Sequence, residues 1–217
     1  MVLLASYTFI FSVCLKYPEK NYPLVLFAGM LPWLLFSETV LRSSGSLVEQ
    51  ANLITKTMFP SEILPVVIFL SSVLTHLMTV ILFAIVASFF TGHISPMLAF
   101  LPAYTLLLGL FAIGLGWIAA ALQVYLRDTS QVVAVVMIFW MWLTPLFIQE
   151  DRFPPWARFV LKINPLAYLV RAYRRILLEQ TMPSIPDLGW IALFGAAAFV
   201  CGGLFFRSLK RGFADVL

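Results

Sequence analysis

Long stretches without a charged residue divide this chain into segments that can cross a lipid bilayer. The stretch 63–126 contains no Asp, Glu, Lys or Arg, and the turn-forming run 91–96 breaks it near its middle. A transmembrane helix needs ~20 apolar residues, and a charged side chain at the bilayer centre costs at least ~2.5 kcal/mol. The pattern predicts an all-α membrane protein with six transmembrane helices, at about 1–15, 22–41, 64–90, 98–122, 130–149 and 188–206.

The opening segment is the shortest of the predicted spans. Residues 1–15 are apolar from the first position and have no basic stretch ahead of them, unlike a signal peptide. Their number falls short of the ~20 residues that a complete span requires. We expect the first span to be incomplete and the chain to begin partway through it.

Composition supports a single membrane domain over residues 1–217. Of the residues 62% are apolar and 11% are charged, whereas soluble domains average roughly 45–50% apolar and 25% charged. The net charge of +4 comes from Lys and Arg in loops and at helix ends, where lipid headgroups attract them, so it does not indicate a nucleic acid partner. Cys14 and Cys201 lie in apolar runs and, with two His, do not form a structural zinc site. We expect no cofactor or metal.

Two short amphipathic helices are predicted over 153–180, before the last span. After Pro154-Pro155, the apolar residues Trp156 and Phe159 share one side, and Arg158 and Lys162 share the other. Asn164 is placed to cap the second helix, with Pro165 at its first position. On that helix the apolar face carries Leu166, Leu169, Val170, Tyr173 and Leu177, and the basic face carries Arg171, Arg174 and Arg175.

The same helices admit two interpretations. Both are too charged to span the bilayer and too apolar for water, so we expect them to lie in or dip into its interface. In the first interpretation they are surface helices whose arginines extend to the headgroups. In the second they form a gate at the exit, whose basic face meets an anionic headgroup or phosphate.

A polar connector over 43–62 separates the second and third predicted spans. The run 43–46, Ser-Ser-Gly-Ser, indicates a loop or a helix start, and Phe59-Pro60 ends the segment. Between them a short amphipathic helix combines apolar Leu47, Leu53 and Ile54 with polar Glu49, Gln50, Asn52 and Lys56. The segment is either a simple connector or a docking helix for a soluble partner, since exposed apolar anchors ringed by polar groups suit docking.

Small residues recur at every fourth position of the fourth span. Ala112, Gly116 and Ala120 form a small-xxx-small ladder, and Ala198 and Gly202 repeat the pattern in the last span. Small residues let helix backbones approach closely in lipid. The pattern leaves open whether the contact lies within one chain or between two.

Candidates for catalysis are few. Ser72 and His76 stand one helical turn apart in the third span and could form a dyad, although a buried His bonded within a helix bundle is the simpler interpretation. The sequence contains no G-x-x-x-x-G-K-[ST] phosphate loop, so the chain does not bind ATP by that motif.

Charge counting leaves the orientation in the membrane undecided. If the C-terminal basic residues are cytoplasmic, that side carries six cations (Arg42, Lys56, Arg127, Arg207, Lys210 and Arg211). The opposite side then carries eight (Lys16, Lys20, Arg152, Arg158, Lys162, Arg171, Arg174 and Arg175). The positive-inside rule does not favour this orientation.

An ordered set of short motifs runs along the chain. They are Tyr7-Thr8-Phe9-Ile10-Phe11, Gly29-Met30-Leu31-Pro32-Trp33 with Phe36-Ser37, Asn52-Leu53-Ile54-Thr55-Lys56 with Phe59-Pro60 and Pro65, Gly114-Leu115-Gly116, Val124-Tyr125-Leu126-Arg127-Asp128, Thr144-Pro145 and Asn164-Pro165-Leu166. Together they resemble the permease subunits of type-2 ABC exporters, specifically the branch that exports O-antigen, capsular polysaccharide and teichoic acid.

The resemblance implies a bacterial cytoplasmic (inner) membrane protein. It implies two permease copies around a channel, and two separate ATPase subunits below that bind the ATP and Mg²⁺. Residues 47–56 would be the helix that couples to the ATPase, Arg127 and Asp128 would face the cytoplasm, and 156–178 would form the gate. The cargo would be an undecaprenyl-pyrophosphate-type glycolipid. Two alternatives stay open: a type-2 exporter of a drug or small lipid, and a six-span intramembrane hydrolase that uses His76.

Overall fold

In the computed structural model, described residues are 22–57, 59–92, 95–147, 150, 153–155 and 158–216, and all their regular structure is helical. The predicted span 1–15 and Trp156 lie outside the described residues. The helices are α1 (Tyr22–Glu49), α2 (Ala51–Lys56), α3 (Ile63–Thr91), α4 (Leu101–Tyr125), α5 (Thr129–Leu143), α6 (Arg158–Ile163), α7 (Pro165–Arg174), α8 (Ile185–Leu209) and α9 (Phe213–Val216). Short 3-10 turns precede α4 and follow α8, and a π-helical turn, Arg175–Glu179, follows α7.

Four apolar helical segments are long enough to cross a membrane. They are Tyr22–Glu49, Ile63–Phe90, Pro96–Tyr125 and Ile185–Gly212, and they include the predicted second, third, fourth and last spans. The predicted fifth span begins as expected, but its helix, α5, ends at Leu143. At 1.5 Å per residue α5 is ~22 Å long, less than the ~30 Å hydrocarbon core. The total of six spans stays a prediction.

Helix α4 lies at the centre of the bundle, between α1 and α8. The backbones of α4 and α8 lie close together because glycines face each other in this contact. A Cβ on Gly202 would clash with the backbone of Gly114. On the other side, the ring of Phe111 stacks on Phe36 of α1 at 5.4 Å, and Trp140 of α5 packs edge-on against both rings. This aromatic cluster joins α1, α4 and α5 halfway along α1.

The first helix is longer than the sequence pattern indicates. The loop or helix start predicted at 43–46 is wrong, because α1 continues unbroken to Glu49. The three serines of this run are buried. Ser44 Oγ donates to the carbonyl of Leu41 at 2.7 Å and Ser46 Oγ donates to the carbonyl of Ser43 at 2.8 Å, whereas Ser43 Oγ has no hydrogen-bond partner among the described residues. A hydroxyl that bonds its own helix does not end it.

Helices α6 and α7 form a hairpin whose tip, Asn164-Pro165, lies inside the bundle. The predicted cap is confirmed: the Asn164 side chain accepts a hydrogen bond from the backbone of Leu166, and Pro165 is the first helical residue. The apolar face of α7 is buried, mainly against α1 and α8. Helix α7 therefore packs among the long helices, whereas most side chains of α6 are exposed.

Along the chain, the helices α1, α3, α4, α5 and α8 run in alternating directions, so the bundle has two distinct ends. The α2 end carries α2 and the ion pair between Lys210 and Glu62, 2.5 Å apart. The hairpin end carries the ion pairs of Arg171 with Glu150 and Asp187.

Candidate functional site

Asn164 fixes the tip of the hairpin with both ends of its side-chain amide. Its Oδ1 accepts from the indole Nε1 of Trp140 at 3.0 Å as well as from Leu166 N at 3.1 Å. Its Nδ2 donates to Thr144 Oγ1 at 3.0 Å and to the carbonyl of Leu143 at 3.3 Å. The hairpin tip is thus bonded to the end of α5. The sequence pattern predicted the cap but gave no sign of Trp140 as a partner.

Arg171 forms the main ionic contact of the hairpin end. Its guanidinium bonds both carboxylate oxygens of Glu150, at 3.1 and 2.7 Å, and Asp187 Oδ2 at 2.8 Å. Burial alone would lower the pKa of Arg171, but its contacts with Glu150 and Asp187 outweigh burial and raise it. The positive charge of Arg171 is therefore paired with two carboxylates of the protein, whereas the sequence-based interpretations paired it with a headgroup or phosphate. The same contact joins α7 to the start of α8.

The other predicted gate arginines also contact the protein. Arg174 donates to the carbonyls of Val25 and Leu146, at 3.2 and 2.7 Å, and Arg158 donates to the carbonyl of Phe153 at 3.2 Å. Arg175 is half-buried in the π-helical turn, and Phe159 is 66% exposed. Arg158, Lys162, Arg171 and Glu150 line a cavity of about 320 Å³ at this end.

Tyr173 joins the hairpin to the third and fourth helices. Its side chain is fully buried, and its hydroxyl lies 3.0 Å from His76 Nε2 and 3.1 Å from Thr105 Oγ1. Ser72 Oγ instead donates to Glu38 Oε1 at 3.1 Å. Among the described residues Ser72 and His76 thus have separate partners, an arrangement that disfavours the serine–histidine dyad.

The predicted docking helix is divided between two elements. Leu47 belongs to the last turn of α1 and is fully buried, so it is not an exposed anchor. Leu53 lies in α2 and is 37% exposed. Glu49, Gln50, Asn52 and Lys56 are exposed around it. The exposed part of the prediction is therefore the short helix α2, in which Leu53 is exposed among polar residues while Ile54 packs partly against the core.

The small-residue ladder of the fourth span packs within the chain. Ala112 and Ala120 are fully buried, and a Cβ on Gly116 would lie 3.0 Å from Ser43 of α1. Ala198 and Gly202 face Gly114 across the α4–α8 contact. The four-residue spacing did not identify Gly114, because it finds small residues along one helix and not the residues that face another helix.

Comparisons with known proteins agree along almost the whole chain. A family model described as ABC-2 type transporter matches residues 1–178. A relative from Myxococcus xanthus, named O-antigen export system permease protein RfbA, is 25% identical over 215 residues, which cover 96% of this chain and 81% of that protein. A Klebsiella pneumoniae protein of the same name is 26% identical over 214 residues, covering 97% of this chain and 82% of the relative.

Proposed function

This chain belongs to the ABC-2 type transporter family, and we propose on that basis that it is the permease subunit of an exporter for an O-antigen-type polysaccharide. It is a multi-pass protein of the bacterial inner membrane. The observation that carries the proposal is the similarity to O-antigen export permeases over 96–97% of the chain. The cargo would be the lipid-linked form of the polysaccharide, carried across the membrane by two copies of this chain.

The energy for export would come from a separate ATPase subunit, bound at the α2 end. The sequence has no phosphate-binding loop of its own. Helix α2 projects at that end with Leu53 exposed among polar side chains, an arrangement that suits insertion into a groove of a soluble partner. This assignment places the α2 end in the cytoplasm and the hairpin end outside.

The hairpin would act as the gate on the outer side. It is held to the bundle by polar contacts rather than by a covalent link: Asn164 to Trp140, Arg171 to Glu150 and Asp187, and Tyr173 to His76. A set of hydrogen bonds and ion pairs has two discrete states, formed and broken, which is what a gate requires.

Export in cells tests the proposal. The chain is produced with its ATPase partner in a strain that makes O-antigen but lacks its own export permease, and surface polysaccharide is measured by antibody binding. We expect polysaccharide at the surface only when both subunits are present and the ATPase retains its phosphate-loop lysine. Polysaccharide that stays inside the cells with both subunits present contradicts the proposal. Efflux of a small lipid or drug under the same conditions would support the alternative cargo.

A further inference from the structure

Charged side chains dominate the lining of the cavity at the hairpin end. Its volume is about 320 Å³, and four of its five lining residues carry a charge: Glu150, Arg158, Lys162 and Arg171, with Leu161 as the fifth. Pockets that bind small molecules have volumes of roughly 300–1,000 Å³, so this one has room for a small polar group. We call it the basic cavity.

Positive charge exceeds negative charge around the basic cavity. Glu150 is the one carboxylate among the lining residues, and both of its oxygens bond Arg171, which also bonds Asp187. Lys162 is exposed and forms no ion pair with any described residue. Even with Asp187 included, three cations face two carboxylates in the described part of the chain. This arrangement favours an anionic ligand.

Lys162 lies near the boundary of the hydrocarbon core at the hairpin end. Helix α5 begins directly after the charged pair Arg127-Asp128 and ends at Leu143, ~22 Å further along. Asn164 bonds the carbonyl of Leu143, and Lys162 is at most ~7 Å from Asn164 along the chain. Because the hydrocarbon core is ~30 Å thick, an exposed cation at this level is within reach of lipid phosphates.

Tyr168 holds the backbone of Lys162 against α7. Its hydroxyl donates to the carbonyl of Lys162 at 2.7 Å, and its ring lies 5.1 Å from the guanidinium of Arg171. Tyr168 is itself buried. The end of α6 is therefore fixed in place although the lysine side chain is exposed. A lysine ammonium group has three donors, which suit the acceptor oxygens of a phosphate.

The other side of α6 is apolar and lines a second cavity. Phe159 and Ile163 are 66% and 53% exposed, and with Trp140 and Leu143 of α5 they line a groove of about 290 Å³. Such a groove suits a hydrocarbon chain. Since α6 borders both cavities, a ligand that carries a phosphate and a hydrocarbon chain fits this end of the molecule better than a free phosphate ion.

From this arrangement we infer that the basic cavity binds the phosphate of a lipid-linked molecule, with Lys162 as its main contact and the apolar side of α6 against the hydrocarbon chain. The inference rests on the proposed function, in which the cargo is a lipid-linked polysaccharide, and a membrane phospholipid offers the same chemistry. It places the anion contact on α6, because Arg171 of α7 is already paired within the protein.

Lipid binding by the purified protein tests the inference. The full chain with its ATPase partner is mixed in detergent with polyprenyl pyrophosphate, phosphatidylglycerol or uncharged polyprenol, and bound lipid is counted by native mass spectrometry. We expect Lys162→Gln to weaken the binding of polyprenyl pyrophosphate about tenfold, the effect of one lost charge-assisted hydrogen bond. Lys162→Arg keeps the positive charge and should bind within about twofold of wild type.

Arg211→Gln is the matched control, because it removes an exposed cation at the α2 end. This variant should bind polyprenyl pyrophosphate as wild type does. The melting temperature of Lys162→Gln should equal that of wild type, since the lysine side chain is exposed, so weaker binding would not reflect unfolding.

The three lipids distinguish the sources of the phosphate. Tighter binding of polyprenyl pyrophosphate than of phosphatidylglycerol assigns the cavity to the cargo. Equal or tighter binding of phosphatidylglycerol that falls in Lys162→Gln assigns it to membrane phospholipid, and the inference stands in both cases. The inference is overturned if polyprenol binds as tightly as polyprenyl pyrophosphate, or if Lys162→Gln binds the phosphate-bearing lipids as wild type does.

Export measurements keep a failure of the inference apart from a failure of the proposed function. With the cargo as the source of the phosphate, Lys162→Gln should slow polysaccharide export severalfold, and Arg211→Gln should export at the wild-type rate. If wild type exports, and Lys162→Gln exports equally well with unchanged lipid binding, the inference is wrong while the proposed function stands. If wild type exports no polysaccharide, the proposed function fails, and lipid binding alone decides the inference.

Discussion

Asn164 shows how one side chain can set the position of a whole gate segment. Its amide caps α7 and bonds Trp140 and Thr144, so it fixes both the start of the helix and its place against α5. The cap was readable from the sequence because Asn-Pro is a local signal. The tertiary partners were not, since no local pattern links Asn164 to a tryptophan in another helix.

Replacing Asn164 should therefore destabilise the protein more than the loss of a cap alone. We expect Asn164→Ala to lower the free energy of unfolding by about 2–3 kcal/mol, the sum of a lost cap and unpaired buried groups. The measurement is the melting temperature of the purified protein in detergent. Asn164→Asp keeps the acceptor for Leu166 and Trp140 but buries a carboxylate against the carbonyl of Leu143, so at neutral pH it should be at least as unstable as Asn164→Ala. Equal stability of Asn164→Ala and wild type would contradict this account.

The ion pair at the α2 end predicts a dependence of stability on pH. Burial acts to raise the pKa of Glu62, but its hydrogen bond and charge interaction with Lys210 outweigh this, and the pKa is lowered. A lowered carboxyl pKa stabilises the fold above the ordinary value of 4.5, and this stability is lost as the pH falls through the lowered value.

The test compares wild type with Lys210→Gln at several pH values. We expect the wild type to melt at the higher temperature at pH 7, and the difference to shrink as the pH falls below the ordinary carboxyl value. The effect should be modest, because both side chains are partly exposed. A difference in melting temperature that stays constant from pH 7 to pH 3 would show that it does not come from the ionised carboxylate of Glu62.

At the scale of elements, the apolar pattern predicted the long helices but not their exact ends or contacts. The serine and glycine run at 43–46 lies inside α1, where the hydroxyls of Ser44 and Ser46 bond the backbone of their own helix and so do not end it. Helix α5 ends before Thr144-Pro145, but the apolar run continues past this pair, so the pattern predicted a span that extends to residue 149. The spacing of small residues on one helix does not show which residues of another helix they contact, because that depends on how the two helices cross.

The α4–α8 contact yields a prediction with a neighbouring control. Gly202→Ala would place a Cβ against the backbone of Gly114, which cannot move aside as a side chain can, so the two helices must separate. Gly203→Ala would place its Cβ 3.4 Å from the ring of Trp117, an ordinary contact. We expect Gly202→Ala to lower stability by about 1–3 kcal/mol and Gly203→Ala to change it little. Equal melting temperatures for the two variants would refute the close approach.

The docking role of helix α2 can be tested apart from the fold because Leu53 is exposed. Leu53→Asp should reduce co-purification of the ATPase subunit at least about tenfold, by placing a charge in an apolar contact, without changing the melting temperature. Leu47→Ala is the matched control: it removes a fully buried side chain and should instead lower stability by about 2–5 kcal/mol. Normal co-purification of the Leu53→Asp variant would exclude α2 as the docking element.

For the whole molecule, the arginines of the hairpin explain why charge counting left the orientation undecided. The positive-inside rule concerns cations in loops that face water and headgroups. Arg171 is paired with Glu150 and Asp187, and Arg174 bonds the carbonyls of Val25 and Leu146. Residues bonded in this way contribute to the fold and should not be counted as loop charges. The same criterion removes Arg42 and Lys210, which pair with Glu38 and Glu62, from the α2 side, so the charge count still leaves the orientation undecided.

The outer surface of the bundle is largely apolar. Most of α3 and α8 points outward, with Met78 and Leu204 well exposed, as expected where helices meet lipid. Composition predicted this membrane environment, but only the pairing of α1 with α3 brings Glu38 and Ser72 together.

Reconstituted transport tests the central claim, that an external ATPase drives a polysaccharide through this permease. The full chain and its ATPase partner are placed in liposomes with a lipid-linked polysaccharide, and the fraction of glycan that becomes accessible to a glycosidase in the compartment opposite the ATPase is measured over time. The account predicts glycan translocation only when ATP and both subunits are present. Translocation by this chain alone, or none with ATP and both subunits, would contradict it.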